Sequence, residues 1–284
     1  MTAPTHFSVR TPDGRTLAGA SFGPADGESV LFIAGAATGR SMAFGEDLLD
    51  TLGVRLLTMD RPGMGSSDAD PGRTLASTVD DYRELVSAAL GDAEARVPVV
   101  ANSQGGVFGL GAAVAGWASR LVLASPADEL AHPAIRAMLP PEATGLAVLA
   151  QQDPAAAAEV LAGFDAEAME QMVLGGSGPE DRAFYAAPEF LERYRSALAE
   201  GFANDGAGYV RDTLIAMRAW NLPFDRIRVP VSVLFGVKDL THSPDHGEVL
   251  ASRISGASRT VFEDAGGALL WTHARAVLEA ALDR

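Results

Sequence analysis

Val99-Val100-Ala101-Asn102-Ser103-Gln104-Gly105-Gly106 is a continuous apolar run that ends in a turn and opens straight into a helical pattern over residues 103–116. A serine at so sharp a strand-to-helix turn is held in strained backbone geometry, with its hydroxyl above the sheet and the positive end of the helix beneath it. Small residues two positions before and after it, Ala101 and Gly105, let the backbones pass. Ser103 reads as a nucleophile on this pattern, although an ordinary helix-capping serine fits the same residues. Asn102 and Gln104 read either as substrate contacts or as groups that satisfy the turn and open the helix.

Outward from this turn the chain repeats the same alternation. An N-terminal hairpin turns at Pro12-Asp13-Gly14. Short apolar runs then cover residues 29–33, 55–59, 97–101 and 120–124, and helical patterns cover 41–52, 78–90 and 103–116. Continuous apolar strands between helices predict a mostly parallel sheet covered on both faces. Over residues 127–222 no strand pattern appears, and the segment reads as helices broken at Pro140-Pro141, at a loop over 175–178 and at 204–206. The alternation resumes with runs over 229–235 and 259–262 and helices over 245–254 and 272–282. This divides the chain into core (1–126), helical cap (127–222) and core (223–284). An insertion placed after a strand's C-terminal end covers the crevice where open α/β sheets bind ligands.

Composition narrows the chemistry. The chain has 284 residues, a net charge of −15, no cysteine and five histidines. Without cysteine there is no disulfide, thiolate zinc site or cysteine nucleophile. Lys238 is the sole lysine available for a Schiff base. The acidic surface argues against nucleic acid as a partner. The first 14 residues lack a signal-peptide pattern, and no apolar stretch is long enough for a bilayer. The expected setting is cytoplasmic, with a small-molecule substrate, no membrane, no cofactor and no metal; a homodimer stays open.

Several further motifs stand in a telling order. Leu31-Phe32-Ile33-Ala34-Gly35-Ala36 leads into a loop, Asp60-Arg61-Pro62-Gly63-Met64-Gly65-Ser66-Ser67 forms a turn, and Phe235-Gly236-Val237-Lys238-Asp239 ends a strand. Asp264-Ala265-Gly266-Gly267-Ala268-Leu269-Leu270-Trp271 opens the last helix. Together with the serine turn, these resemble the α/β-hydrolase superfamily along the whole chain. The resemblance implies an eight-stranded, mostly parallel sheet with an inserted helical cap. It also implies Ser103 as nucleophile, Asp239 as the acid that orients a histidine, and the N–H groups of Ala36 and Gln104 as an oxyanion hole. Ala34, Gly35, Asn102 and Gly267 would border the substrate. Asp60 and Arg61 would form a structural turn and ion pair.

At one position the pattern departs from the family. Gly267 occupies the place of the family's catalytic histidine. A serine hydroxyl without a base is a weak nucleophile. His242, three residues past Asp239 on the rim that carries Ser103, is the candidate for a displaced base. His246 beside the next helix, His273 in the last helix, His132 over the pocket and His6 are weaker candidates. If the base is simply missing, Gly267→His would raise activity. Two other chemistries remain: a cofactor-free lyase, isomerase or cyclase in which Asp239, lacking a histidine neighbour, acts as acid or base, and a non-catalytic ligand binder. The leading expectation is hydrolysis of an ester, lactone or related carbonyl compound. The cap's apolar residues, among them Met169, Met172, Val173, Tyr185, Phe190 and Tyr194, predict a largely apolar substrate.

Overall fold

In a computed structural model, which describes residues 3–284, the apolar runs form one eight-stranded sheet in the order β1-β2-β4-β3-β5-β6-β7-β8. The strands are β1 (Thr5–Arg10), β2 (Thr16–Phe22), β3 (Glu28–Ile33), β4 (Val54–Met59), β5 (Val97–Ser103), β6 (Ala118–Pro126), β7 (Val231–Gly236) and β8 (Ser258–Phe262). β2 pairs antiparallel with β1 and β4, and the pairings from β4 through β8 are parallel. Both faces are covered. Val30 and Phe32 of β3 enter one buried cluster, and their neighbours Leu31 and Ile33 enter the other, as the two-residue period of a strand requires.

The helices α1 (Glu46–Leu52), α2 (Leu75–Leu90) and α3 (Gly106–Ala115) follow the early strands. Seven more lie between β6 and β7: α4 (Pro133–Met138), α5 (Pro141–Gln152), α6 (Pro154–Leu161), α7 (Ala166–Gly176), α8 (Pro179–Tyr185), α9 (Pro188–Gly201) and α10 (Ala207–Met217). Proline opens five of these, α4, α5, α6, α8 and α9, where its missing N–H has no intrahelical partner to lose. The chain ends with α11 (Glu248–Ser252), α12 (Leu269–Thr272) and α13 (Ala274–Leu282). Among the described residues no helix is long and apolar enough to cross a membrane.

Some element boundaries differ from the sequence reading. The helix expected over 41–52 begins only at Glu46, after Gly45 in a left-handed conformation. The expected loop at 175–178 is partly helix, since α7 runs through Gly175 and Gly176. The final helix is two segments, α12 and α13, broken at His273. Asp60 and Arg61 do not pair with each other. Asp60 pairs with Arg40, and Arg61 pairs with Asp212 of α10.

The inserted helices dock on both sides of the sheet's C-terminal rim. On one side the end of α9 presses on the loop after β3. Ser41 donates from its N–H (2.9 Å) and its hydroxyl (2.8 Å) to Glu200, and Gly39 donates to the Ala197 carbonyl (3.0 Å). On the other side Asp181 of α8 accepts from the N–H groups of Gly267 (2.7 Å) and Ala268 (3.1 Å).

Candidate active site

Ser103 closes β5 with φ of 50°. That left-handed conformation costs a residue with a side chain about 1–3 kcal/mol and persists only where the surroundings enforce it. The enforcement is visible around it. A Cβ on Gly105 would stand 2.4 Å from the Ile33 carbonyl oxygen, and one on Gly109 would stand 2.8 Å from Ala101 Cβ. The small residues beside the serine are therefore packing requirements of the turn, and they aim its hydroxyl at the crevice.

Asp239 leaves the end of β7 and is buried. Its carboxylate accepts from the N–H groups of Thr241 (3.1 Å) and His242 (3.3 Å), and from the His242 ring. His242 Nδ1 stands 2.9 Å from Oδ2 and 3.0 Å from Oδ1. The rest of this loop is fixed by Asp245, which accepts from the N–H groups of Gly247 (2.9 Å) and Val249 (2.7 Å) and from the Ser243 hydroxyl (2.7 Å). With Nδ1 on the carboxylate, Nε2 is left as the free ring nitrogen.

Gly267 explains how the loop fits. A Cβ there would stand 3.3 Å from Asp239 Oδ1, 3.4 Å from His242 Cε1 and 3.5 Å from His242 Nδ1. The imidazole of His242 lies where a side chain at 267 would begin. The expectation that a histidine at 267 simply refills an empty place is therefore corrected, because the ring from the neighbouring loop already holds it. Gly267 does not line the cavity either; it backs the histidine.

The electrostatics of the pair are reciprocal. Burial works against a charged His242, but the Asp239 carboxylate outweighs it, with Asp181 adding, and the imidazole pKa is raised. Burial likewise opposes the Asp239 anion. The His242 ring and the Thr241 N–H outweigh it and hold the carboxyl well below the usual carboxylate range. The acid or base role that required Asp239 to lack a histidine neighbour loses its premise.

The planarity of their peptides sets the direction of two backbone N–H groups, those of Ala36 and Gln104. In a trans peptide the C=O and N–H point in opposite directions. The Gly35 carbonyl accepts from Arg61 Nη2 (2.8 Å), and the Ala34 carbonyl accepts from Arg61 Nη1 (2.9 Å). Pulling the Gly35 oxygen toward Arg61 turns the Ala36 N–H the other way. The Ser103 carbonyl accepts from the Ala127 N–H (2.9 Å), which does the same for the Gln104 N–H. Among the described residues neither N–H donates to a protein acceptor. Arg61 is fully buried and held by Asp212, which also contacts Arg73.

A cavity of about 360 Å³ opens over these groups, within the range of small-molecule sites. Gly35, Ala36, Asn102, Ser103, Thr241 and His242 line its floor, and Met169, Met172, Val173, Tyr185, Phe190 and Tyr194 come from the inserted helices. Trp271 completes an aromatic cluster with Tyr185 and Phe190, ring centroids 6.0 and 5.1 Å away. Asn102 also donates to the Ala124 carbonyl (2.8 Å) and so satisfies the turn. Ala34, expected at the substrate, lies outside the lining and contributes its carbonyl to Arg61. The Gln104 side chain turns away to Thr213.

The remaining histidines stand elsewhere. His6 meets Arg40, His246 packs on Phe235, His273 pairs with Asp264, and His132 precedes α4 without lining the cavity. Asp181 and Asp212 carried no signal in the sequence, since both arrive from helices remote in the chain. Among the described residues no cluster of three or more metal-ligating side chains occurs.

A sequence profile of the alpha/beta hydrolase family matches residues 30–281. No curated protein matches the chain significantly. Three similar solved structures are a hydrolase from Pseudomonas aeruginosa PA01, an enol-lactonase from Burkholderia xenovorans LB400 and an esterase from Exiguobacterium antarcticum. The first is 23% identical with a TM-score of 0.69, each chain covered to 100%. The second is 21% identical with a TM-score of 0.69, each chain covered to 98%. The third is 19% identical with a TM-score of 0.67, each chain covered to 97%. At these identities the likeness speaks for the fold.

Proposed function

The chain belongs to the alpha/beta hydrolase family, and we propose that it hydrolyses a carboxylic ester, lactone or related acyl bond of a small, largely apolar substrate. Ser103 is the nucleophile, His242 the base and Asp239 the group that orients the base. The observation that carries this reading is the His242–Asp239 pair at 2.9 Å, whose His242 ring fills the room left by Gly267 and lines the same cavity as Ser103.

The steps balance with these groups alone. Ser103 Oγ attacks the substrate carbonyl carbon as its proton passes to His242 Nε2. Negative charge collects on the carbonyl oxygen and is met by the Ala36 and Gln104 N–H groups, each such donor being worth about 3–4 kcal/mol in the transition state. Asp239 accepts from Nδ1–H throughout and stabilises the imidazolium. His242 then returns the proton to the departing alkoxide, leaving an acyl ester on Ser103. Water, deprotonated by His242, attacks that ester, and the proton goes back to Ser103 as the acid leaves. The inserted helices serve as a cap whose methionines and aromatic rings receive the apolar part of the substrate.

The lyase, isomerase or cyclase reading draws no support from the geometry, because both Asp239 oxygens are engaged by His242. The test is turnover of a panel of p-nitrophenyl esters and simple lactones. Activity on short or medium acyl chains that disappears in Ser103→Ala supports the proposal. Equal activity in Ser103→Ala and the wild type rejects it.

A further inference from the structure

Asp181 lies on α8 and is buried at the junction between the inserted helices and the rim of the sheet. Both its oxygens are used: Oδ2 accepts from the Gly267 N–H at 2.7 Å and Oδ1 from the Ala268 N–H at 3.1 Å. A Cβ on Gly266 would stand 2.3 Å from Asp181 Oδ2, and a Cβ on Gly267 would meet the His242 ring. The two glycines thus leave room for different groups, one for a carboxylate from the insertion and the other for an imidazole from the β7 loop. The backbone at 266–268 is a thin wall between them.

We propose that Asp181 is a positioning residue for His242: from the insertion it fixes the Gly267–Ala268 backbone against which the imidazole stands, so the base is held correctly only while α8 is docked. This rests on the reading of His242 as the base. The family resemblance would put the catalytic histidine at 267, in the loop after β8. Here that loop carries no side chain at 267, and its backbone is the support for a ring arriving from elsewhere. A support made of glycine has little stiffness of its own, and the two bonds to Asp181 supply it.

The charged and titratable groups around His242 are consistent with this. Asp239 faces it from its own loop, and Asp181 and Tyr185 approach from α8. Tyr185 is buried, and its phenol pKa is raised by that burial together with Asp181 and Asp239, so it stays neutral. Glu180 and Lys238 form an exposed pair beside them, at 2.7 Å, and Asp264 is occupied with His273. The β8 loop presents only backbone at 266–267. The Asp181 charge adds to that of Asp239 in raising the His242 pKa, so removing it should lower that pKa.

The test is an NMR titration of the His242 ring in the full chain, together with the rate at which a fluorophosphonate probe labels Ser103 across pH. Asp181→Asn keeps the size of the side chain and removes its charge. The expected result is a His242 titration at lower pH, an acid limb of labelling that moves down with it, and a plateau rate about ten- to a hundredfold slower as the ring loses its support. Unchanged titration and labelling in the folded variant overturn the proposal, as does a loss of stability with neither readout moved. Gly266→Ala supplies the second route, since its Cβ must displace the carboxylate while leaving the charge in place. It should slow labelling similarly, and a wild-type rate there overturns the proposal even if Asp181→Asn does not fold. If wild-type Ser103 takes no probe at all, the hydrolase reading falls, while the titration still decides the role of Asp181.

Discussion

Moving the histidine from position 242 to position 267 should damage the enzyme less than removing it. His242→Ala takes away the proposed proton acceptor, and loss of a triad base costs at least about 10³-fold in kcat, or ~4 kcal/mol of barrier. Gly267→His alone should also be harmful. Its Cβ starts only 3.3 to 3.5 Å from Asp239 and the His242 ring, so a second imidazole must displace the first, at about 1–3 kcal/mol of overpacking strain. In the double variant the volume is free again. Gly267 is not among the residues with positive φ, so the backbone accepts a side chain, and the nearness of its Cβ to Asp239 Oδ1 lets the new ring reach the carboxylate. The double variant should recover at least about tenfold over His242→Ala, ~1.4 kcal/mol, which is non-additive in the rescuing direction. The assay is kcat/KM on p-nitrophenyl acetate for the four proteins, with urea unfolding to track stability. A double variant no better than His242→Ala, together with a fully active Gly267→His, would refute the claim that one imidazole serves both positions.

Three further outcomes follow from the same geometry. Arg61→Lys keeps the charge but loses the fork that holds the Ala34 and Gly35 carbonyls, so kcat should fall up to about 10²-fold with little change in KM, while an unchanged kcat would mean the Ala36 N–H needs no such orientation. The raised His242 pKa places the acid limb of kcat/KM above the ordinary imidazole value of 6.5. For folding, a raised histidine stabilises fully below 6.5 and loses that contribution as pH rises through its folded pKa, whereas the depressed Asp239 stabilises above 3.8 and loses its share as pH falls. The stability difference between wild type and His242→Ala in urea should therefore be largest between those two values, and a difference that grows above neutral pH would reverse the sign.

The fold was legible because it rests on local patterns. The apolar runs had to be buried strands, the turn around Ser103 needed Ala101 and Gly105, and Pro140-Pro141 marked a break where α5 begins. The candidate site was legible as far as it lies on those elements: Ser103 closes β5, and Asp239 and His242 follow β7, two strands away in the sheet. What the sequence could not display is the exchange between adjacent loops. Gly267 reads as a deletion of function until its missing Cβ is seen to be the space for the His242 ring. Asp181, Asp212 and the hold of Arg61 on the Ala34 and Gly35 carbonyls were hidden because each acts across a large gap in the chain. The short helix at 46–52 shows the converse limit, since a favourable pattern over 41–45 yielded to Gly45 and to the docking of Ser41 on Glu200.

Activation of Ser103 by His242 is read most directly from the second-order rate of fluorophosphonate attachment, with the modified peptide identified by mass, in wild type and His242→Ala. A single adduct on Ser103 is expected in the wild type, with a rate at least about 10²-fold lower in His242→Ala and His273→Ala labelled as fast as wild type. Equal rates in wild type and His242→Ala, or an adduct on a residue other than Ser103, would contradict that activation.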